Sequence, residues 1–144
     1  MNIFLLSGLG LIAVIVGGLF FLAHQSNAGA PPGLSGAALT PCPSSPNCVC
    51  SEQGTPDSHA VDPLPASSWA TLPEAVEAAG GVIVERRDDY LAAAFRSRLL
   101  GFVDDVEFRK AADAVHVRSA SRVGRSDLGV NRKRVEALRA ALQD

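Results

Sequence analysis

Residues 115–135 read Val-His-Val-Arg-Ser-Ala-Ser-Arg-Val-Gly-Arg-Ser-Asp-Leu-Gly-Val-Asn-Arg-Lys-Arg-Val. The segment opens with the alternation of a half-buried strand, passes through a loop holding Gly124 and Gly129, and ends in a helix with a basic first turn. Between Arg118 and Arg139 lie seven Lys/Arg and two acids, whereas the rest of the chain holds six and thirteen. The whole chain carries 13 basic and 15 acidic residues, a net charge of −2. That balance argues against a general nucleic-acid role, so any anion recognition has to be local to this segment.

Reading upstream, the period of two recurs. Val82–Arg87, Tyr90–Arg98, Phe102–Arg109 and Ala114–Ser121 read as strands, separated by Asp88-Asp89, Gly101 and Ala111–Asp113. The alanines of Tyr90–Arg98 alone would also suit a short helix, but its neighbours favour a strand. Such short connections predict an antiparallel meander. A helix opens at Thr71-Leu72-Pro73-Glu74, with a hydroxyl, an early proline and an acid in its first turn. Gly80-Gly81 ends it. A closing helix spans about 130–142, with Val135, Leu138 and Leu142 on one stripe. Trp69 is expected in the core. The predicted fold is α+β: a small antiparallel sheet of about four strands, two helices packed on one face, behind an N-terminal transmembrane helix.

Ile3–Ala23 has no charged side chain, and about 20 apolar residues suffice to cross a bilayer. A signal peptide would have a basic start and a shorter apolar run. The expected division is therefore a membrane anchor at 1–25, a flexible Gly/Ala/Pro/Ser linker at 26–38 and a globular domain at 39–144. Cleavage after Ala28 or Ala30 is the alternative. No Lys or Arg flanks the apolar run, so it carries no orientation signal. Pro41 is a poor residue to precede a lipidated Cys42. The expected location is a single-pass membrane protein with a periplasmic or other extracytoplasmic domain.

Three prolines in Thr40–Ser51 predict an irregular loop. Cys42 spaces equally well for a disulfide with Cys48 or with Cys50, leaving an odd thiol. Unpaired structural cysteines are the other reading. Neither zinc spacing nor a C-x-x-C motif is present, and no metal or cofactor is expected. No phosphate-binding loop or metalloprotease motif occurs, and His24, His59 and His116 stand apart in sequence.

On the third strand Phe102, Asp104, Val106 and Phe108 share a face, and their apolar members turn it to the core. Asp105, Glu107 and Arg109 then point outward. On the fourth, His116, Arg118 and Arg122 oppose Val115, Val117, Ser119 and Ser121. Cross-strand pairing of Asp105 and Glu107 with Arg118 or His116 is expected, at about 0.2–1 kcal/mol per pair. In the closing helix, Asn131 as N-cap would put Arg132, Lys133 and Arg134 at the positive end of the helix dipole, where an anion would compensate. A cap at Ser126 or Asp127 would remove that conflict.

The motifs 42–51 (CPSSPNCVCS), 101–108 (GFVDDVEF) and 118–135 (RSASRVGRSDLGVNRKRV) together resemble the domain of unknown function family 1499 over roughly Leu39–Leu142. Arg125 departs from it, standing where an aromatic is more usual. The resemblance implies a place behind a membrane or lipoprotein signal and no established activity. The expected function is a non-catalytic, membrane-tethered domain binding an anionic small molecule, a lipid headgroup or a protein partner. Its candidate site residues are Asp104, Asp105, Arg118, Ser119, Arg122, Asp127, Asn131, Arg132 and Arg134. The alternatives are a hydrolase built on Asp104 and Asp105 with Ser119, Ser121 or Asp127, and a structural or assembly factor.

Overall fold

A computed structural model describes residues 2–143. Met1 and Asp144, the ends of the expected anchor and domain, lie outside the described residues. Helix α1 (Asn2–Ala28) leads into a two-stranded hairpin, β1 (Leu34–Ser35) and β2 (Ala38–Leu39). Then follow β3 (Cys48–Cys50), β4 (Leu64–Pro65), a 3₁₀ turn at Ala66–Ala70 and α2 (Leu72–Ala78). The meander β5 (Gly81–Arg86), β6 (Tyr90–Arg96), β7 (Val103–Lys110) and β8 (Ala114–Ser121) comes next, and α3 (Val130–Ala141) closes the chain.

The antiparallel meander is present, with its order and parity as the alternation requires. Val106 stands opposite Ala93 and Ser119, and Glu107 opposite Ala92 and Arg118. The sheet is larger than expected. It has six strands in the order β3-β8-β7-β6-β5, with β4 also paired to β8. Both additions are short: Cys48 pairs with Ala120 and Leu64 with Val115. A three-residue strand inside a proline-rich loop leaves no readable alternation.

One face of the sheet carries the main core. Leu91, Phe95, Val106, Phe108, Val115 and Val117 pack there against Leu72 and Val76 of α2 and Val135 and Leu138 of α3. Trp69 packs on this core while only partly buried. The opposite face is not an outer one. Tyr90 and Ala92 are buried there with Leu39 and Cys50. Asp105 and Glu107, expected outward, are 3% and 0% exposed. The cause is the stretch expected to be a flexible linker, 26–38. Instead of leading away from the sheet it lies across it as a strap. Thr40 donates its amide and hydroxyl to the Gly33 carbonyl, at 3.1 and 2.8 Å, closing the hairpin. Gly33 and Leu39 donate their amides to the carboxylates of Glu107 (2.7 Å) and Glu52 (3.0 Å). A disulfide joins Cys42 to Cys48, Cα atoms 5.7 Å apart, and pins the strap to β3. Cys50 is free and buried, and burial pushes its thiol up.

Helix α1 is apolar and long enough to cross a membrane over Gly10–Ala28. Its last turn joins the domain directly. The Ser26 hydroxyl accepts from the Val103 amide at 2.8 Å, and Arg122 donates to the Ser26 carbonyl at 3.1 Å.

Gly81 begins β5 where α2 leans on the sheet. A Cβ there would lie 2.7 Å from the Phe95 ring and 2.8 Å from Val76. Gly81→Ala is expected to cost about 1–3 kcal/mol by overpacking, read as a lower denaturation midpoint with unchanged slope. An unchanged midpoint would show that the α2–sheet contact is loose.

Candidate functional site

The strap side of the sheet holds three ion pairs in a row along β7 and β8. At its centre Glu107 accepts from the Tyr90 hydroxyl (2.7 Å), the Gly33 amide (2.7 Å) and Arg118 (2.9 Å). Burial holds the Glu107 carboxyl above its ordinary value, against the pull of those donors. Burial and the Glu107 carboxylate push the Tyr90 phenol far up, so it stays a donor. Toward α1, Arg122 grips both oxygens of Asp105 at 2.7 and 2.8 Å. Toward the other end, Arg109 does the same to Glu52 at 2.8 and 2.9 Å, with His116 3.6 Å from the same carboxylate. Burial alone would raise the Glu52 carboxyl, but Arg109, the Leu39 amide and His116 outweigh it and hold it low. The expected pairing of Glu107 with Arg118 is made, while His116 joins Glu52 instead.

On the helix side Asp104 does turn inward, as its parity requires, and its partner comes from α3: Arg134 donates to it at 2.6 Å. The Arg134 guanidinium also lies 4.7 Å over the Phe95 ring and reaches Ser119 and Asn131. Asn131 is fully buried. It accepts from Ser119 at 2.6 Å and donates to the Asn47 carbonyl and the Ser121 hydroxyl at 3.1 Å each. It is therefore not the cap of α3. Gly129 holds the N-cap position, and Asp127, two residues before it, covers the helix start by accepting from the amides of Gly129 (3.1 Å) and Asn131 (2.8 Å). Its burial would raise the carboxyl, but those N–H groups outweigh it and hold it low. This negative charge at the helix start answers the basic first turn. Arg132, also in that turn, donates to the carbonyls of Ala60 and Ser58.

The structure therefore brings together Asp104, Ser119, Asn131 and Arg134 on one face and Asp105, Arg118 and Arg122 on the other. It does not bring Asp104 together with Asp105. As neighbours on one strand they project to opposite faces and form no carboxylate dyad. The four arginines expected to meet an external anion, Arg118, Arg122, Arg132 and Arg134, all donate to internal acceptors. Sequence reasoning missed Tyr90, Asn47, Glu52 and Ser26 as parts of these networks. No spacing signalled them, because each meets its partners only across the folded chain.

Beside the helix-side network lies a cleft of about 260 Å³. Its walls are Leu22 of α1, the β6–β7 turn with Ser97 and Phe102, and the loop from Val123 to Val130. Asp104, Ser121, Ser126 and Asp127 turn toward it. Arg98 and Arg125 sit on the two loops that flank it. Both are exposed, and among the described residues neither makes an ion pair.

Arg118→Met leaves the buried Glu107 carboxylate without its cation and is expected to cost about 3–5 kcal/mol. Adding Glu107→Gln, which still accepts from Tyr90 and Gly33, should recover part of that loss; strictly additive losses would argue against the buried pair. Asp127→Ala should cost about 1 kcal/mol at neutral pH by loss of the cap. Because the folded carboxyl is held low, this contribution is present above the unfolded value of about 3.9. It disappears as pH falls through the folded value, so variant and parent stabilities should converge in strong acid. A gap constant with pH would contradict the capping role.

No curated protein and no solved structure matches the chain. The model of one family, described as "Protein of unknown function (DUF1499)", matches residues 38–142. That match spans β3 to α3, the strap-side ion pairs and the Asp104–Arg134–Asn131 network, and the chain belongs to the DUF1499 family.

Proposed function

We propose that the protein is a single-pass, membrane-anchored, non-enzymatic domain on the extracytoplasmic side, and that its cleft takes the headgroup of an anionic lipid. The observation that carries this reading is the wall formed by Leu22. The cleft is bounded by the same apolar helix that is long enough to enter the bilayer. On this reading a molecule in the cleft sits where that helix leaves the membrane. The hydrogen bonds of Ser26 and the Arg122 contact join the end of α1 to the sheet, so the domain has little freedom to swing away. The Cys42–Cys48 disulfide suits an oxidising compartment.

The chemistry of the cleft selects among headgroups. About 260 Å³ is small for a drug-sized ligand, whose sites run from roughly 300 to 1,000 Å³. It suits a headgroup whose chains stay in the bilayer. The carboxylates and hydroxyls inside accept hydrogen bonds from a polyol, while Arg98 and Arg125 on the flanking loops meet a phosphate. The hydrolase reading has less support, since Asp104 is ion-paired to Arg134 and Asp105 faces away.

The test is thermal unfolding of the full chain in neutral detergent, titrated with phosphatidylglycerol, phosphatidylcholine or free glycerol phosphate. Saturation to a hundred times Kd should stabilise by about 2.7 kcal/mol, with phosphatidylglycerol only. Val130→Trp, which fills the cleft from an exposed position, and Arg98→Ala with Arg125→Ala should each abolish the shift. Equal shifts with all lipids, or no loss in these variants, would leave the domain as a structural or assembly factor. A shift with free glycerol phosphate would point to a soluble ligand.

A further inference from the structure

Among the described residues, the β6–β7 turn carries the most exposed large apolar side chain. It reads Ser97-Arg98-Leu99-Leu100-Gly101-Phe102. Leu99 is 90% exposed and Leu100 41%. An exposed Leu-Leu pair at a hairpin tip is unusual on a water-facing surface, where turns take polar residues. The pair is not isolated. Leu99 and Leu100 line a small cavity whose other wall is Val16, Leu19, Phe20 and Ala23 of α1. Those residues lie within the membrane-long stretch Gly10–Ala28.

Geometry then makes a demand. From Val16 to Ala23 a helix rises about 10 Å. A turn that faces α1 along this interval cannot remain in water if the interval is inside the bilayer. We infer that the β6–β7 turn is a second membrane contact, a wedge that inserts Leu99 and Leu100 into the leaflet beside α1. This rests on the reading of α1 as a membrane-spanning helix. The depth matches the roughly 5–10 Å at which interfacial elements bury their apolar face.

Two further features fit this occupant. The neck of the turn is closed by its own hydrogen bonds. Ser97 and Phe102 exchange hydrogen bonds at 2.7 and 3.0 Å, and the Gly101 amide donates to the Ser97 carbonyl at 3.1 Å. Asn27 at the end of α1 donates to the Gly101 carbonyl at 3.3 Å and accepts from Arg96. The turn is thus held at the helix rather than free to fold back. Arg98 precedes the apolar pair, exposed, with a stem long enough to reach headgroup phosphates while its neighbours enter the chains. The wedge and α1 flank the lipid cleft, Ser97 and Phe102 on one side and Leu22 on the other, so the cleft mouth would open onto the leaflet.

The test uses the full chain in phosphatidylcholine–phosphatidylglycerol vesicles, with tryptophan as the probe. Trp69 is the only native tryptophan, so the parent supplies the background signal. Leu99→Trp, and separately Leu100→Trp, should give blue-shifted emission. That emission should be quenched by phosphatidylcholine brominated near the top of its acyl chains and shielded from aqueous acrylamide. Leu99 makes little packing in the fold, so its replacement leaves the domain intact. Phe20→Trp is the control for the anchor and should be quenched by lipids brominated deeper. If it is quenched while both turn variants stay open to acrylamide and blind to brominated lipid, the wedge is refuted and the anchor stands. If Phe20→Trp is also blind to brominated lipid, the anchor reading falls and the wedge with it.

Discussion

Glu107 takes a carboxylate into the middle of the sheet and leaves none of it to water. A buried charge of this kind is tolerated only when cation and hydrogen-bond donors surround it. Arg118 comes from the strand on one side, Tyr90 from the strand on the other, and the last donor is the amide of Gly33 in the strap. The requirement explains the second layer of the protein. Without the strap this face of the sheet would be an ordinary polar surface with cross-strand pairs. With it, the face is a small core in which Tyr90, Leu39 and Cys50 are packed round the ion pair, and the Cys42–Cys48 disulfide holds the cover in place.

The same accounting governs the arginines. A basic segment on an acidic chain suggests an external anion, but most of its charge is neutralised from within. Asp105 and Asp104 take Arg122 and Arg134 from opposite sides of one strand. Arg132 and Arg139 reach back to carbonyls of the segment between β3 and the 3₁₀ turn. Among the described residues, Arg125 and Lys133 of this segment make no ion pair, and Arg125 lies with Arg98 on the two loops beside the helix that is apolar enough for a membrane. Arg125 is also the position where the sequence departs from what its resemblance leads one to expect.

The meander, its parity, the closing helix and the inward turn of Asp104 were readable because each follows from a local period. The pairing of Glu107 with Arg118 was readable because strand neighbours follow from register. Three things were not. Cys48–Cys50 and Leu64–Pro65 are too short to show a period and are strands only because β8 offers them an edge. The strap has the composition of a linker, and its order comes from two carboxylates distant in sequence. Asn131 reads as a cap by residue type, yet Asp127 reaches two amides first and leaves Asn131 to be buried.

The strap has a further consequence in the order in which the chain is made. Its residues leave the ribosome early, yet nearly everything they hold is made late. Ser26 must wait for Val103, 77 residues on, and for Arg122, 96 residues on. Asn47 waits for Asn131, and Cys48 for Ala120. The two ends of the domain therefore meet across its centre, and the sheet cannot be completed until β8 and α3 have emerged. Contacts this distant in sequence slow folding. Until then the first segment of the domain has only local links to close, the hairpin between Gly33 and Thr40 and the disulfide between Cys42 and Cys48.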